Sequence, residues 1–300
     1  MNQSLSNFEA REAAETVMAM QNQEKRYQAA DYLRILDGIT DSSVVVDPEC
    51  RARMCKWCYQ SVDFFKLSRN TAHAAMSCFD RFLSTSDGKP FLTNKSLFQL
   101  ACVTALHISI KVHEPVELDI GLLVQMCRGA YTAEQIIKTE QRMLTALEWA
   151  VHPPSPTAIV HQLVALLPQT STNKQFRQDL LELSCYQTEL AIADYALCVM
   201  CSPTALALSS VLNALSFIPD ITSQTQIWYL KTFVQVTGIS GKLRGFDEAR
   251  IALLEHVKTS KSVLAAEVNY QPETSSMSQT LKKNVLGMLS GLSPVSVLLR

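Results

Sequence analysis

An all-α fold is what this 300-residue sequence predicts, and three observations carry the prediction. Apolar residues recur at helical spacing over nearly the whole chain. No Asn-Gly hairpin signal or sustained alternation marks a strand. Residues that cap helices stand in front of several apolar runs, as Ser68 and Thr132 do, the latter with Gln135 in the capping-box position.

Residues 8–37 form one amphipathic helix or two, with Val17, Met20, Tyr27, Tyr32 and Leu33 on the buried side. A turn-rich stretch, ITDSSVVVDPE, follows. Five helical segments are expected next: 50–66, 69–85, 94–113 (ended by Pro115), a short 118–128, and 133–149. HPPSP at 152–156 cannot continue a helix and marks the boundary of a second set, placed at 156–167, 174–199, 203–217, 222–236 and 246–258. The two sets match in length and helix number, which suggests a duplicated unit. The division is therefore 1–49 as an N-terminal helical segment, 50–151 and 152–258 as tandem five-helix domains, and 259–300 as a polar, disordered tail.

Composition narrows the function classes. Only 18% of residues are charged, below the usual share, so a large apolar face is available for a partner. With 27 basic and 28 acidic residues there is no global field for nucleic acid or an anionic membrane. No apolar run reaches the roughly 20 residues that span a bilayer, so a soluble protein is expected. Without an apolar h-region at the N-terminus, a reducing compartment is the expected setting for the nine cysteines. Cys55/Cys58 and Cys198/Cys201 have CxxC spacing but lie in helical patterns without zinc-knuckle residues, so they read as buried apolar side chains rather than metal ligands. The six histidines contain no HxxxH or HExxH pair, and GISGKLRG at 238–245 lacks P-loop spacing. No cofactor, metal or catalytic residue is expected, and the protein is not read as an enzyme.

Charges planted in apolar stripes are the informative feature. Leu100, Thr104, Ile108 and Lys111 share one helix face, as do Ile136, Glu140, Met143, Leu144 and Leu147 on another. Asp80 sits beside Met76 and Leu83, and Arg51 opens the first helix of its set. Ionised groups enter a core only when paired, so two cation–carboxylate pairs are expected among Arg51, Asp80, Lys111 and Glu140. Either they lock helices together or, at a rim, a partner reaches them.

The segments RARMCKWCYQSVDFFKLSRNTAHAAMSCFDRFLS, FQLACVTALHISIKVHEP and YTAEQIIKTEQRMLTALEWAVHPPSP resemble successive parts of a cyclin box. DYALCVMCSPTALALSS resembles the cyclin C-terminal signature, in which an Asp-Tyr and a Ser-Pro flank a helix start, and EKRYQAADYL leans toward D-type cyclins. Arg51, Asp80, Leu100, Lys111 and Glu140 agree in order over a likeness covering about 20–258. The resemblance implies a regulatory subunit of a cyclin-dependent protein kinase in cell-cycle control, located in the nucleus or cytoplasm, with possible protein substrates or inhibitors as further partners. It implies that Lys111 and Glu140 hydrogen-bond the kinase backbone beside its C-helix, and that Ile108, Leu144, Trp149 and Val151 pack on that helix. The segment 14–34 would add to the interface, and Arg51 with Asp80 would be a structural ion pair.

The sequence departs from the cyclin pattern in the substrate-docking patch. Met54, Trp57 and Gln99 match it, but Arg53 replaces an apolar wall and Gln60 an acid, which weakens basic-plus-leucine docking. Val112 and His113 also stand where many cyclins carry an aromatic and an acid. LSCYQ at 183–187 and two RxxL spacings (Arg177/Leu180, Arg250/Leu253) fall inside helical patterns, while PETSS and Ser293-Pro294 are the better turnover candidates. The alternative reading is a cyclin-fold transcription regulator or scaffold, with a transcriptional kinase or a nucleic-acid partner. That reading calls for a basic stripe not found here.

Overall fold

The computed structural model describes residues 2–34, 43–167, 174–217, 223–238 and 243–267. The PETSS and Ser293-Pro294 segments and residues 239–242 of GISGKLRG lie outside them. Twelve α-helices and no strand occur among the described residues. They divide into two compact units, one of residues 29–152 and the other of 1–28 with 153–265.

In the first unit, each helix start is written into a local cap. Asp47 accepts from the Cys50 N–H (2.7 Å) ahead of α2 (Pro48–Phe64), whose proline occupies the position that needs no donor. Ser68 caps α3 (Arg69–Leu83), and Asn94 accepts from Ser96 and Leu97 to start α4 (Lys95–His113). Asp119 caps the short α5 (Ile120–Met126), and Thr132 with Gln135 completes a reciprocal capping box on α6 (Ala133–Ala146). Helix α4 lies at the centre, packed by α2, α3 and α6. Its central position explains its composition: 13 consecutive residues from Phe98 to Ile110 are buried. At 19 residues α4 is long and apolar enough to cross a membrane, against expectation, yet 72% of that stretch is buried as a core helix. Trp57, Phe79, Phe82 and Phe98 fill the core around it, with Phe79 edge-on to Phe98 at 4.8 Å.

Gly88 marks the tightest backbone approach in this unit. A Cβ there would sit against the Phe82 carbonyl oxygen and 2.7 Å from the Leu83 Cα. Gly88→Ala should therefore destabilise the unit by about 1–3 kcal/mol, because backbone rather than a side-chain tip must move. Urea denaturation followed by helical circular dichroism measures it.

The second unit collects α1 (Asn2–Glu24) with α7 (Pro156–Ala165), α8 (Lys174–Ala193), α9 (Tyr195–Met200), α10 (Pro203–Phe217), α11 (Ser223–Thr237) and α12 (Phe246–Glu267). Helix α10 is its centre, buried from Thr204 to Leu215. Its buried polar groups are satisfied: Ser209 donates to the Phe246 carbonyl (3.1 Å) and Asn213 to that of Arg250 (3.0 Å). The start of α10 is capped from far away, by Glu24, whose carboxylate accepts from the Thr204 N–H (3.0 Å) and hydroxyl (2.7 Å). Burial pushes the Glu24 carboxyl above its ordinary range, against those bonds and Arg244.

Three boundaries differ from those read off the sequence. The segment 1–49 is not one piece: α1 buries Ala13, Ala14 and Val17 in the core of the second unit, whereas Tyr32 and Leu33 are buried in residues of the first. A break at Asp194, which caps α9, splits the expected 174–199 helix. Helix α12 continues nine residues past 258, because nothing in KTSKSVLAAE stops it. The remainder of the expected tail lies outside the described residues.

Asp194 also receives the ring of His256 at 2.8 Å, tying α12 to the α9 cap. The Asp194 bond raises the His256 pKa against burial. Burial alone would raise Asp194, but the bonds from His256 and the Leu197 N–H outweigh it and hold the carboxyl low. A raised histidine stabilises below its unfolded pKa, and that stability is lost as pH rises through the folded value. A depressed aspartate stabilises above its unfolded value and loses that stability as pH falls through the folded one. The pair therefore supports the unit most between about pH 4 and 6.5. Its contribution is under about 1 kcal/mol, since both groups are partly solvated. Asp194→Asn keeps the cap but not the charge, so the Tm gap between wild type and variant should narrow from pH 6 to pH 8.5.

Candidate partner-binding site

The paired charges lie in the first unit. The Arg51 guanidinium, fully buried at the start of α2, donates from Nε to Asp80 Oδ1 (2.8 Å) and from Nη2 to Oδ2 (2.7 Å). The Tyr32 hydroxyl donates to the same Oδ1 at 2.9 Å. This two-point pair, completed by a third donor, binds α2, α3 and the chain ahead of α2 into one block. Tyr32 was legible as a buried position, but its role on Asp80 was not, since nothing local links residues 48 positions apart.

At the other end of α4, Lys111 Nζ donates to both Glu140 oxygens, at 2.8 and 3.0 Å. Here the setting is different. Lys111 is 44% exposed and Glu140 13%, so the pair sits on a rim where solvent or another chain can reach it. His107, one turn earlier, faces the same carboxylate at 3.8 Å; burial and then Lys111 lower its pKa, against Glu140.

The apolar residues around the pair divide into two groups. Ile137, Glu140 and Leu144 share one face of α6, with Ile137 exposed and Leu144 half-buried. Beyond α6 the chain turns through Glu148 and Trp149, both at positive φ (50° and 59°), before Val151. This turn thrusts Trp149 outward until 70% of it is exposed, the largest value among the exposed large hydrophobics. Val112 and Val116 add further exposed apolar surface beside Lys111. Ile108 does not belong to this surface: it is 2% exposed because α4 is enclosed until its last turn, so it supports Lys111 from beneath. The expected docking patch is corrected in the same way. Met54 and Trp57 have no exposed surface, and Gln99 is buried, accepting from the Tyr131 hydroxyl at 3.0 Å. These side chains form core, not groove.

Sequence reasoning missed Arg81. It is 6% exposed and donates to the Ala150 carbonyl at 2.6 Å, which pins the Trp149 turn to α3. Its neighbour Asp80 takes the other buried cation, so the adjacent charges in DRF point to different partners. Segment 14–34 contributes α1, whose apolar stripe is spent inside the second unit, while Met18 on its other side is 44% exposed.

No group of three or more His, Cys, Asp or Glu side chains able to hold a metal occurs among the described residues. All nine cysteines are thiols, seven of them buried. Cys58 and Cys102 meet at 3.6 Å between α2 and α4, and the Cys102 contact with burial pushes the Cys58 thiol far up, away from reactive thiolate.

The described residues thus form two helical units, and the Lys111–Glu140 pair lies partly exposed in the first of them. The solved X-ray structure of a viral cyclin from herpesvirus saimiri shares the fold, with a TM-score of 0.55 at 16% identity over 73% of this chain and 89% of that one. Residues 15–152 match the family described as Cyclin, N-terminal domain. Relatives include G2/mitotic-specific cyclin-2 of Antirrhinum majus, 27% identical over 58% of this chain and 37% of its own. Cyclin-A3-3 of Arabidopsis thaliana is 27% identical over 56% and 49%, and Cyclin-B1-5 of Oryza sativa subsp. japonica 27% over 63% and 39%. The matched regions span less than half the length of these three curated relatives. The match over residues 15–152 and these likenesses support the cyclin family. These relatives, of A, B and mitotic types, give the D-type leaning no support.

Proposed function

We propose that this chain is a regulatory subunit that binds a cyclin-dependent serine/threonine protein kinase, in the nucleus or cytoplasm, and holds its C-helix in the active position. The observation that carries the reading is the Lys111–Glu140 pair, partly open to solvent, with exposed Val112 and Ile137 on the same two helices. Buried pairs such as Arg51–Asp80 are occupied with packing. This one has capacity left over. A carboxylate offers about four lone-pair sites and an ammonium three donors, so both groups can take up backbone amides and carbonyls of a partner while still facing each other.

The mechanism needs no catalytic group from this chain. A protein kinase is active when its C-helix glutamate pairs with the strand lysine that holds the ATP phosphates. A surface that binds the inward C-helix better than the outward one shifts the population toward the active kinase by that difference in affinity. The exposed Trp149 supplies apolar area at small entropic expense, and the charged pair fixes register.

Mixing the purified chain with candidate cyclin-dependent kinases, followed by affinity capture and a phosphorylation assay, tests this. Stable capture with a rise in kinase activity is expected. Capture with no rise in the activity of any kinase bound would replace activation by simple tethering, and no capture by any would overturn the reading.

A further inference from the structure

The turn that presents Trp149 is strained, and two side chains hold it. Consecutive non-glycine residues in the left-handed region, Glu148 and Trp149, are disfavoured and persist only where surrounding contacts enforce them. Arg81 takes the Ala150 carbonyl, and the His113 ring, at the end of α4, meets the Val151 carbonyl through Nε2 at 3.4 Å. The opposite face of His113 stacks on His152, with ring centroids 4.6 Å apart and planes 24° from parallel. One imidazole thus touches both the last residue of the turn and the residue after it.

We propose that His113 positions the Trp149 turn and that protonation of its ring loosens the turn, so that docking on this rim is weakened by acid. The regulation rests on the kinase-binding reading, but the device itself is a property of the free chain. A neutral His113 ring keeps its half-buried place between Val151 and His152. A charged one is better solvated with the turn open, and the strained turn then loses the contact that holds its far end.

The surroundings favour the uncharged state. From α3 comes His73, half-buried, which burial and then His113 push down to about 4. Arg51, from α2, adds positive charge on His73, although Asp80 balances it. Arg81 stands at the neighbouring carbonyl, and Lys111, two residues earlier on α4, is taken up by Glu140. The opposing charge is Glu114, whose carboxylate already accepts from the Ser68 N–H and the Thr71 hydroxyl. Burial, then His152, lower the pKa of His113, against the Val151 bond and Glu114. A histidine lowered on folding leaves stability intact above its unfolded pKa and subtracts from it as pH falls below about 6.5. The loosening therefore belongs to the range from pH 6.5 downward.

Hydrogen exchange and histidine-ring NMR on the full chain, without kinase, test the device. After correction for intrinsic rates, the Ala150 and Val151 amides should open about tenfold more at pH 5.5 than at pH 7.5, because the opened turn lets the imidazole take its proton in water. That increment should vanish in His113→Gln, which can still donate to the carbonyl without titrating. His152→Ala, at an exposed position, should raise the His113 pKa, and it serves as the readout if the Gln variant folds poorly. Amide opening independent of pH, or a His113 pKa unmoved by His152→Ala, overturns the proposal whatever the kinase result. If the pH response appears but no kinase binds at pH 7.5, the clasp stands and the kinase reading falls.

Discussion

Asp80→Ala should destabilise the first unit by about 3–5 kcal/mol, a large part of the 5–15 kcal/mol that holds a typical domain. The reason is the charge it leaves behind. Arg51 has no exposed surface and directs both donating nitrogens at Asp80, so removing the carboxylate strands a guanidinium in the core. Urea denaturation should show the midpoint falling sharply. Tyr32→Phe removes one donor and should lose only about 1 kcal/mol. Replacing Arg51 and Asp80 together by apolar residues of similar volume should recover much of the Asp80→Ala loss, because it is the unpaired charge that destabilises. A single Asp80→Ala variant as stable as wild type would show that water reaches Arg51 in solution.

The second large effect falls on binding. Lys111→Ala and Glu140→Ala should each weaken kinase affinity by about 2–4 kcal/mol, or roughly 30- to 1000-fold, while leaving the helical fold in place. The stability effect should stay under about 1 kcal/mol, since Lys111 is 44% exposed and the pair closes no core. Trp149→Ala makes the complementary case: a side chain 70% exposed contributes little to folding, so lost affinity there reports on the partner alone. Titration calorimetry with the kinase that is captured measures all three. A Lys111→Ala/Glu140→Ala double variant that binds as wild type would return the pair to helix locking.

How much of this was legible depends on range. Caps at Ser68, Asn94, Asp119 and Thr132 act within three residues, so helix starts follow from neighbours in the chain. Lys111 and Glu140 could be singled out because a charge in an apolar stripe needs a partner, and helical period shows which face carries it. Periodicity does not show depth. Ile108 and Lys111 share a face three residues apart, yet one is enclosed and the other open, because the neighbours of α4 cover it only as far as Ile110. Met54 and Trp57 were docking candidates by resemblance alone, and packing leaves both without exposed surface.

Residue type and spacing alone, then, determined that the chain is helical, where it breaks at HPPSP, and which four charges must find partners, because these depend on backbone sterics, local hydrogen bonds and desolvation. Only tertiary structure decided which pair is sealed and which is open. Only it could join Tyr32 to Asp80, Glu24 to Thr204 and His113 to Val151, since a contact across tens of residues has no local signal. Only it showed α1 spending its apolar stripe among α7, α10 and α11, where hydrophobic burial is satisfied by whichever surface the fold brings near.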